Sequence, residues 1–272
     1  MSNNWAFLVS SFKKTDACKP MVESLINGGY LTEGNTLILC DDNAGGPNSK
    51  EDPETMIDVF NLYKKEIPDL RLRYGASRGG ISINKNRGLH EVFKTPEKWD
   101  NVCLLDDDFT IKRAGLCEEL LGASEADRQD HICTSWERAG LWLAFPPRQK
   151  SEHCSWSTGV QGNFLFFKMD LLKAIGYYPK YIHMYAYEHV SQSSRALMYQ
   201  GYCPELYPTL LRSDRYIQPQ SIPNRYAIDP DKLHGNSPQF WADMQRIRQG
   251  LDLKIDESHL PKKGEVCLTN KK

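Results

Sequence analysis

The sequence predicts an α/β fold with a mixed, mostly parallel central sheet flanked by helices. Three observations carry that expectation. Apolar runs of strand length alternate with segments whose apolar residues recur at helical spacing. The chain opens strand, helix, strand, an order that joins parallel strands through right-handed crossovers. Two of the runs, Thr36-Leu37-Ile38-Leu39-Cys40 and Val102-Cys103-Leu104-Leu105, lead straight into acids, Asp41-Asp42 and Asp106-Asp107-Asp108. Strand exits of this kind are where open α/β sheets place their ligands.

The elements follow in order. Trp5-Ala6-Phe7-Leu8-Val9 is a first strand ending at Ser10, and Met21/Leu25 with Val22/Ile26 describe a helix that starts at Pro20 and stops at Gly28-Gly29. The strand at Thr36 comes next. Pro53 opens a helix whose Met56, Phe60 and Tyr63 share one face, and Leu70, Leu72 and Tyr74 alternate with Arg71 and Arg73 as a strand. Gly75 to Gly80 is a glycine-rich basic loop before a helix from Ser82 to about Phe93, and the acid-bearing strand follows it. Beyond the acids, Leu116, Leu120 and Leu121 suggest a helix and His131 to Trp136 a strand. Ala139 to Ser157 reads as an irregular aromatic loop. A strand at Asn163 to Phe167, a helix at Asp170 to Ile175 and a helix from Tyr187 to Gln200 come next. Ser237 and Pro238 then start a helix carrying Phe240, Met244, Ile247 and Leu251. From Lys262 the tail reads as loosely ordered. With no internal repeat and no low-complexity linker, residues 1–272 are expected to form a single domain.

Composition narrows the classes. A formal net charge of −1 over 272 residues gives no global attraction to nucleic acid or anionic membranes. No apolar run approaches the roughly 20 residues of a membrane helix, and Met1 to Trp5 lacks a signal-peptide pattern, so a cytoplasmic protein is expected. The eight cysteines include no C-x-x-C pair, which points to reduced thiols rather than a zinc site or a disulfide framework.

The three acids after Leu105 set the chemistry. Two unit charges about 4 Å apart repel by roughly 4 kcal/mol at an effective dielectric near 20. A hard divalent cation, Mn²⁺ or Mg²⁺, is the natural counter-charge, since it takes oxygen ligands and shares them with substrate phosphates.

Taken in order, Ser10, Asp41-Asp42-Asn43, Lys85-Asn86-Arg87-Gly88, Asp106-Asp107-Asp108, Gly159 to Gly176, and Glu188-His189 followed by Arg195 and Gly201 form a pattern. In this the chain resembles the family 2 nucleotide-sugar glycosyltransferases of the GT-A fold, over nearly its whole length. The resemblance implies a nucleotide-sugar-binding half over residues 1–110 and an acceptor-binding half over 111–260. It also implies a metal-dependent transfer of sugar from a nucleotide diphosphate donor, with UDP expected, to an acceptor hydroxyl with inversion. Donor contacts would fall to Ser10, Asp42, Lys85, Asn86, Asp106 and Asp107. The metal would fall to Asp106 and Asp108, with His234 as a further ligand. Glu188 or His189 would take the acceptor proton, Glu188 ranking slightly ahead, because His189 stands where that family has Asp. Lys85 stands where Arg is usual, which keeps the charge but loses a bidentate grip. Arg212 and Arg215 are further diphosphate candidates, and Trp156 and Tyr187 could line the acceptor side. The acceptor class stays open among glycans, lipid-linked glycans, proteins and modified nucleic acid bases. Beside a nucleotidyltransferase sharing the sheet architecture, two rival readings remain. In one, a haloacid-dehalogenase-like phosphatase uses Asp106 as nucleophile and Asp108 as acid/base. In the other, a protein of the same fold binds nucleotides or carbohydrates without catalysis.

Overall fold

The computed structural model describes residues 3–11, 15–42, 56–75, 79–134, 147–159, 162–180, 187–220, 237–259 and 266–270. Strand β1 (Trp5–Ser11), helix α1 (Thr15–Asn27), β2 (Thr36–Asp41), α2 (Met56–Tyr63), β3 (Leu70–Tyr74), α3 (Ile81–Lys94) and β4 (Asn101–Asp106) make up the first half. Strands β3, β2, β1 and β4 lie side by side and run parallel, as the alternation of apolar runs and helical segments predicts.

The second half extends the sheet with mixed directions. A two-stranded antiparallel ribbon, β5 (Phe109–Ile111) with β11 (Ile217–Pro219), stands apart from it. Between these come α4 (Leu116–Asp127), β6 (His131–Cys133), β7 (Gln149–Lys150), β8 (Cys154–Ser157), β9 (Phe164–Lys168), α5 (Met169–Ile175), α6 (Glu188–Tyr199) and β10 (Tyr207–Leu210). Helix α7 (Ser237–Arg248) and strand β12 (Val266–Thr269) close the chain. The full order of the ten-stranded sheet is β12-β3-β2-β1-β4-β9-β6-β10-β8-β7.

Alternation along the strands makes the sheet a divider between two cores. Phe7 and Val9, Leu37 and Leu39, Cys103 and Leu105, and Phe164 and Phe166 face α1 and α2, where Met21, Leu25, Val59 and Phe60 meet them. Ala6 and Leu8, Ile38 and Cys40, Val102 and Leu104, and Leu165 and Phe167 face α3, α5 and α6 through Leu89, Val92, Leu172, Ile175 and Leu197. Burial on both faces explains why these strands read as continuous apolar runs. Helix α3 lies close on the sheet because of Gly88: a Cβ there would stand 2.6 Å from Leu8 Cδ2 and 2.7 Å from Cys40 Sγ.

Several boundaries differ from expectation. Helix α1 starts a turn and more before Pro20, which lies inside it. The segment read as an irregular aromatic loop contains β7 and β8, which pair with each other and, through β8, with β10. The tail expected to be loose from Lys262 contains β12, paired antiparallel with β3 from Val266↔Tyr74 to Thr269↔Arg71. Pro53 and Trp136 lie outside the described residues. No disulfide links the eight cysteines, in line with reduced thiols.

Candidate active site

Register assembles the site. Parallel pairing sets Ser10 beside Cys40 on one side and Asp106 on the other, so the ends of β1, β2 and β4 bring Ser10, Asp41, Asp42 and Asp106 to one edge of the sheet. Pairing runs to Ser11↔Asp41, and the carbonyls of Ser11, Cys40 and Asp41 take further donors from outside the ladder.

Helix α3 supplies them. Its residues Asn84 to Arg87 are all buried although all are polar. Asn84 Nδ2 donates to the carbonyls of Ser11 (3.1 Å) and Cys40 (2.9 Å). Arg87 Nη1 donates to the Asp41 carbonyl at 3.3 Å and to Asp42 Oδ1 at 2.8 Å. Asp42 also accepts the backbone N–H groups of Gly79 and Gly80, each at 2.8 Å, so it fastens the glycine loop to the strand exit. Burial pushes the Asp42 carboxyl above its ordinary value, and those three donors pull against the rise.

Lys85 is 1 % exposed and sits at the centre of the network. Its Nζ lies 3.2 Å from Asp106 Oδ1 and 3.6 Å from Glu188 Oε1, donates to the Gly162 carbonyl at 3.4 Å, and stands 5.7 Å from the centre of the Tyr178 ring. Burial alone would lower its pKa, but Asp106 and Glu188 outweigh it and the ammonium is held charged. Glu188 opens α6 after Tyr187, whose backbone is left-handed at φ 70°, and Glu188 Oε1 faces His189 Nδ1 at 3.3 Å. Burial works to raise the Glu188 carboxyl. The hydrogen bond and charge of His189 and the charge of Lys85 prevail, and its pKa falls to about 2.

Sequence expectation and structure can be compared residue by residue. Ser10, Asp42, Lys85, Asp106, Glu188 and His189 gather at this edge, Asp42 joined through Arg87 and Lys85 joining Asp106 to Glu188. Asn86 does not face a donor. It is fully buried, its Nδ2 donating to the Tyr178 carbonyl (3.0 Å) and its Oδ1 accepting the Tyr178 N–H (2.7 Å). Asp107 is buried as well, with its charge felt by the Cys18 thiol on α1, whereas Asp106 and Asp108 on either side of it are half-exposed. Arg212 and Arg215 are exposed at a single turn before β11. Trp156 lies in β8, next to the edge strand β7, and packs against the core. Tyr187 stacks on Phe240 of α7 with ring centres 4.5 Å apart. His234 lies outside the described residues. Sequence reasoning missed Asn84, and it also missed Gln220. The Gln220 N–H donates to the Asp108 carbonyl at 2.8 Å, and its side chain reaches the carbonyls of Asp107 and Phe109, pinning the acidic turn. The run of four polar residues on one helical stretch was the available signal for Asn84; Gln220 gave none.

Among the described residues no three His, Cys, Asp or Glu side chains are grouped as a protein-only metal cage would require. Two half-exposed carboxylates, Asp106 and Asp108, with a buried one between them fit a hard cation of the Mg²⁺ or Mn²⁺ type. Such an ion takes one or two protein carboxylates and completes its shell with phosphate oxygens and water.

At the level of sequence the chain matches no family model and no curated protein. Its likeness to solved structures is in the fold. The structure of S. aureus TarS in complex with UDP-GlcNAc superimposes with a TM-score of 0.62 at 14 % identity, over 94 % of this chain and 69 % of that one. The mannosyltransferase PcManGT from Pyrobaculum calidifontis, in complex with GDP-Man and Mn²⁺, gives 0.55 at 12 % identity over 89 % and 64 %. GalNAc-T7 with UDP, GalNAc and Mn²⁺ gives 0.60 at 11 % identity over 90 % and 48 %. The chain has the GT-A fold of nucleotide-sugar glycosyltransferases, a mixed, mostly parallel sheet with helices on both faces.

Proposed function

We propose that this protein is a metal-dependent glycosyltransferase that moves a sugar from a nucleotide diphosphate donor to an acceptor hydroxyl, with inversion at the anomeric carbon. The observation that carries the reading is the single charge network at the sheet edge, in which buried Lys85 joins Asp106 of β4 to Glu188 of α6. Such an edge can hold an anionic donor and a proton acceptor side by side. The donor proposed is a UDP-sugar, its base near Ser10 and Asp42 and its diphosphate toward Asp106 and Asp108. A Mn²⁺ or Mg²⁺ ion on Asp106 and Asp108, with His234 as a further ligand, would stabilise the negative charge that grows on the departing diphosphate. Lys85 holds the Asp106 carboxylate in place for that ion, and the Glu188–His189 pair removes the acceptor proton. Residues 1–110 would bind the donor and 111–260 the acceptor, within one domain. Among the described residues no helix is long and apolar enough to cross a membrane.

The phosphatase reading fits less well. Asp106 would have to act as a free nucleophile, yet it stands on the fourth strand in chain order and is ion-paired to a buried lysine.

The test is donor binding and turnover. UDP-GlcNAc, UDP-Glc and GDP-Man, each with and without Mn²⁺, should separate in a thermal-shift assay, since a bound donor stabilises the folded state with the logarithm of its occupancy. Asp108→Ala should abolish the metal-dependent part of the shift while leaving the unliganded melting temperature near that of the parent. An undiminished metal-dependent shift in that variant would refute the metal assignment.

A further inference from the structure

We infer that His189 takes the acceptor proton at Nε2, with Glu188 and Gly162 acting as positioning residues that fix the ring. The inference rests on the glycosyltransferase reading above and assigns roles within it. Three observations carry it, and none concerns His189 alone.

The first is the hydrogen bond. Glu188 Oε1 stands 3.3 Å from His189 Nδ1, and an ionised carboxylate can only accept. The hydrogen of the neutral imidazole therefore lies on Nδ1, and the lone pair is left on Nε2. The Lys85 ammonium, 3.6 Å from the same oxygen, favours the ionised carboxylate.

The second is the difference in exposure. The Glu188 side chain is 3 % exposed and its Oε1 is shared with Lys85, whereas the His189 side chain is 22 % exposed. Of the pair, the imidazole is the one an acceptor can reach.

The third is Gly162. A Cβ built on that residue would fall 2.4 Å from His189 Cγ and 2.7 Å from both Cβ and Nδ1. The Cβ–Cγ–Nδ1 part of the side chain lies against backbone that only glycine leaves open. The same stretch touches the donor side of the site: the Gly162 carbonyl accepts from Lys85 Nζ, and the Asn163 carbonyl accepts the Asp106 N–H at 2.8 Å. The wall that seats the imidazole is thus bonded to the strand end that carries Asp106. Neighbouring charges from the other elements are Lys85 of α3 and Asp106 of β4, with Tyr178 closing the far side of Lys85.

In the step itself the acceptor O–H proton passes to His189 Nε2 as the acceptor oxygen bonds to the anomeric carbon. The bond from that carbon to the diphosphate oxygen breaks, and its electron pair leaves with the nucleoside diphosphate. Glu188 balances the imidazolium that results.

The experiment pairs spectroscopy with kinetics on the full chain. Long-range ¹⁵N–¹H correlation, with His189 assigned by its loss in His189→Gln, should show the neutral ring as the Nδ1–H tautomer. His189→Gln should lower kcat about 100-fold or more with donor KM unchanged, and added imidazole should restore part of the activity of His189→Ala. Gly162→Ala and Glu188→Gln should each lower kcat about 10-fold at unchanged donor KM, with Glu188→Asp recovering part of the loss. Thermal unfolding of each variant separates these effects from misfolding. An Nε2–H ring in a wild-type protein that turns over donor would overturn the base assignment alone. So would a His189→Gln variant within threefold of wild type beside a 100-fold loss in Glu188→Gln, which would move the proton to Glu188. A wild type that turns over none of the three nucleotide-sugars with Mn²⁺ would overturn sugar transfer itself, and with it the role of His189.

Discussion

Lys85 ties two elements of the site together electrostatically, Asp106 of β4 and Glu188 of α6. It is a buried ammonium with two carboxylates in reach, and a buried ion pair is held by the whole arrangement rather than by either contact. Removing one member of such a group leaves an uncompensated buried charge, a change that typically costs about 3–5 kcal/mol. Lys85→Met should therefore lower the free energy of unfolding by roughly 3 kcal/mol in urea denaturation. Adding Glu188→Gln to Lys85→Met should recover part of that loss, because the second change removes one of the orphaned charges. A double variant as unstable as the sum of the singles would mean the two side chains do not share an interaction. Asn86 next door shows how position on a helix divides function from support. One residue along from Lys85, its amide holds the backbone of Tyr178 in both directions and never reaches the site.

At the scale of elements, what could be read from sequence depended on whether a segment carries its own period. Strands β1 to β4 are buried on both faces and their helices are amphipathic, so runs such as Phe7-Leu8-Val9 and pairs such as Met21/Leu25 announce them. The acids at the exits of β2 and β4 were visible for the same reason: they end an apolar run. Strands β7, β8 and β12 have two to four residues, too few to show a period of their own, and only their partners make them strands. Helix α3 is a different case. Its polar run from Asn84 to Arg87 carries no apolar period, and it faces inward because it donates to carbonyls at the strand ends. The same dependence on a partner makes β12 testable. It covers the edge of β3, and Asn270 reinforces it by accepting the Leu70 N–H (2.8 Å) and donating to the carbonyls of Lys64 (2.8 Å) and Ile67 (2.6 Å). Deleting residues 266–272 bares that edge, so the truncated chain should melt at lower temperature and self-associate in sedimentation velocity. A truncated chain that stays monomeric and melts with the parent would show β12 to be dispensable.

Across the whole molecule, the two ends of the parallel sheet do different work. The C-terminal ends of the strands gather charges for the site, and the N-terminal ends are tied together by Asp69. This buried carboxylate, just before β3, accepts from Thr36 Oγ1 at the start of β2 (2.8 Å), from Arg71 (3.1 Å to each oxygen) and from Lys98 ahead of β4. Trp99 Nε1 adds a bond to the same Thr36 hydroxyl at 3.1 Å. Burial alone would raise the Asp69 carboxyl, but Arg71, Lys98 and Thr36 outweigh it and hold the pKa at about 2, against 3.8 for an ordinary aspartate. The folded value is depressed, so between pH 4 and pH 2 the unfolded chain binds the proton first and each added proton favours unfolding. The stabilisation is full above pH 4 and is lost as the pH falls toward 2. Asp69→Asn removes that titration while keeping the shape of the group. Its unfolding free energy should be lower than the parent's near pH 6, and the gap should shrink steadily on acidification from pH 4 to pH 2, as followed by urea denaturation at each pH. A gap that stays constant over that window would show that Asp69 titrates alike in the folded and unfolded chains, and the sheet's base would then owe its cohesion to Trp99 and the apolar strands rather than to this carboxylate.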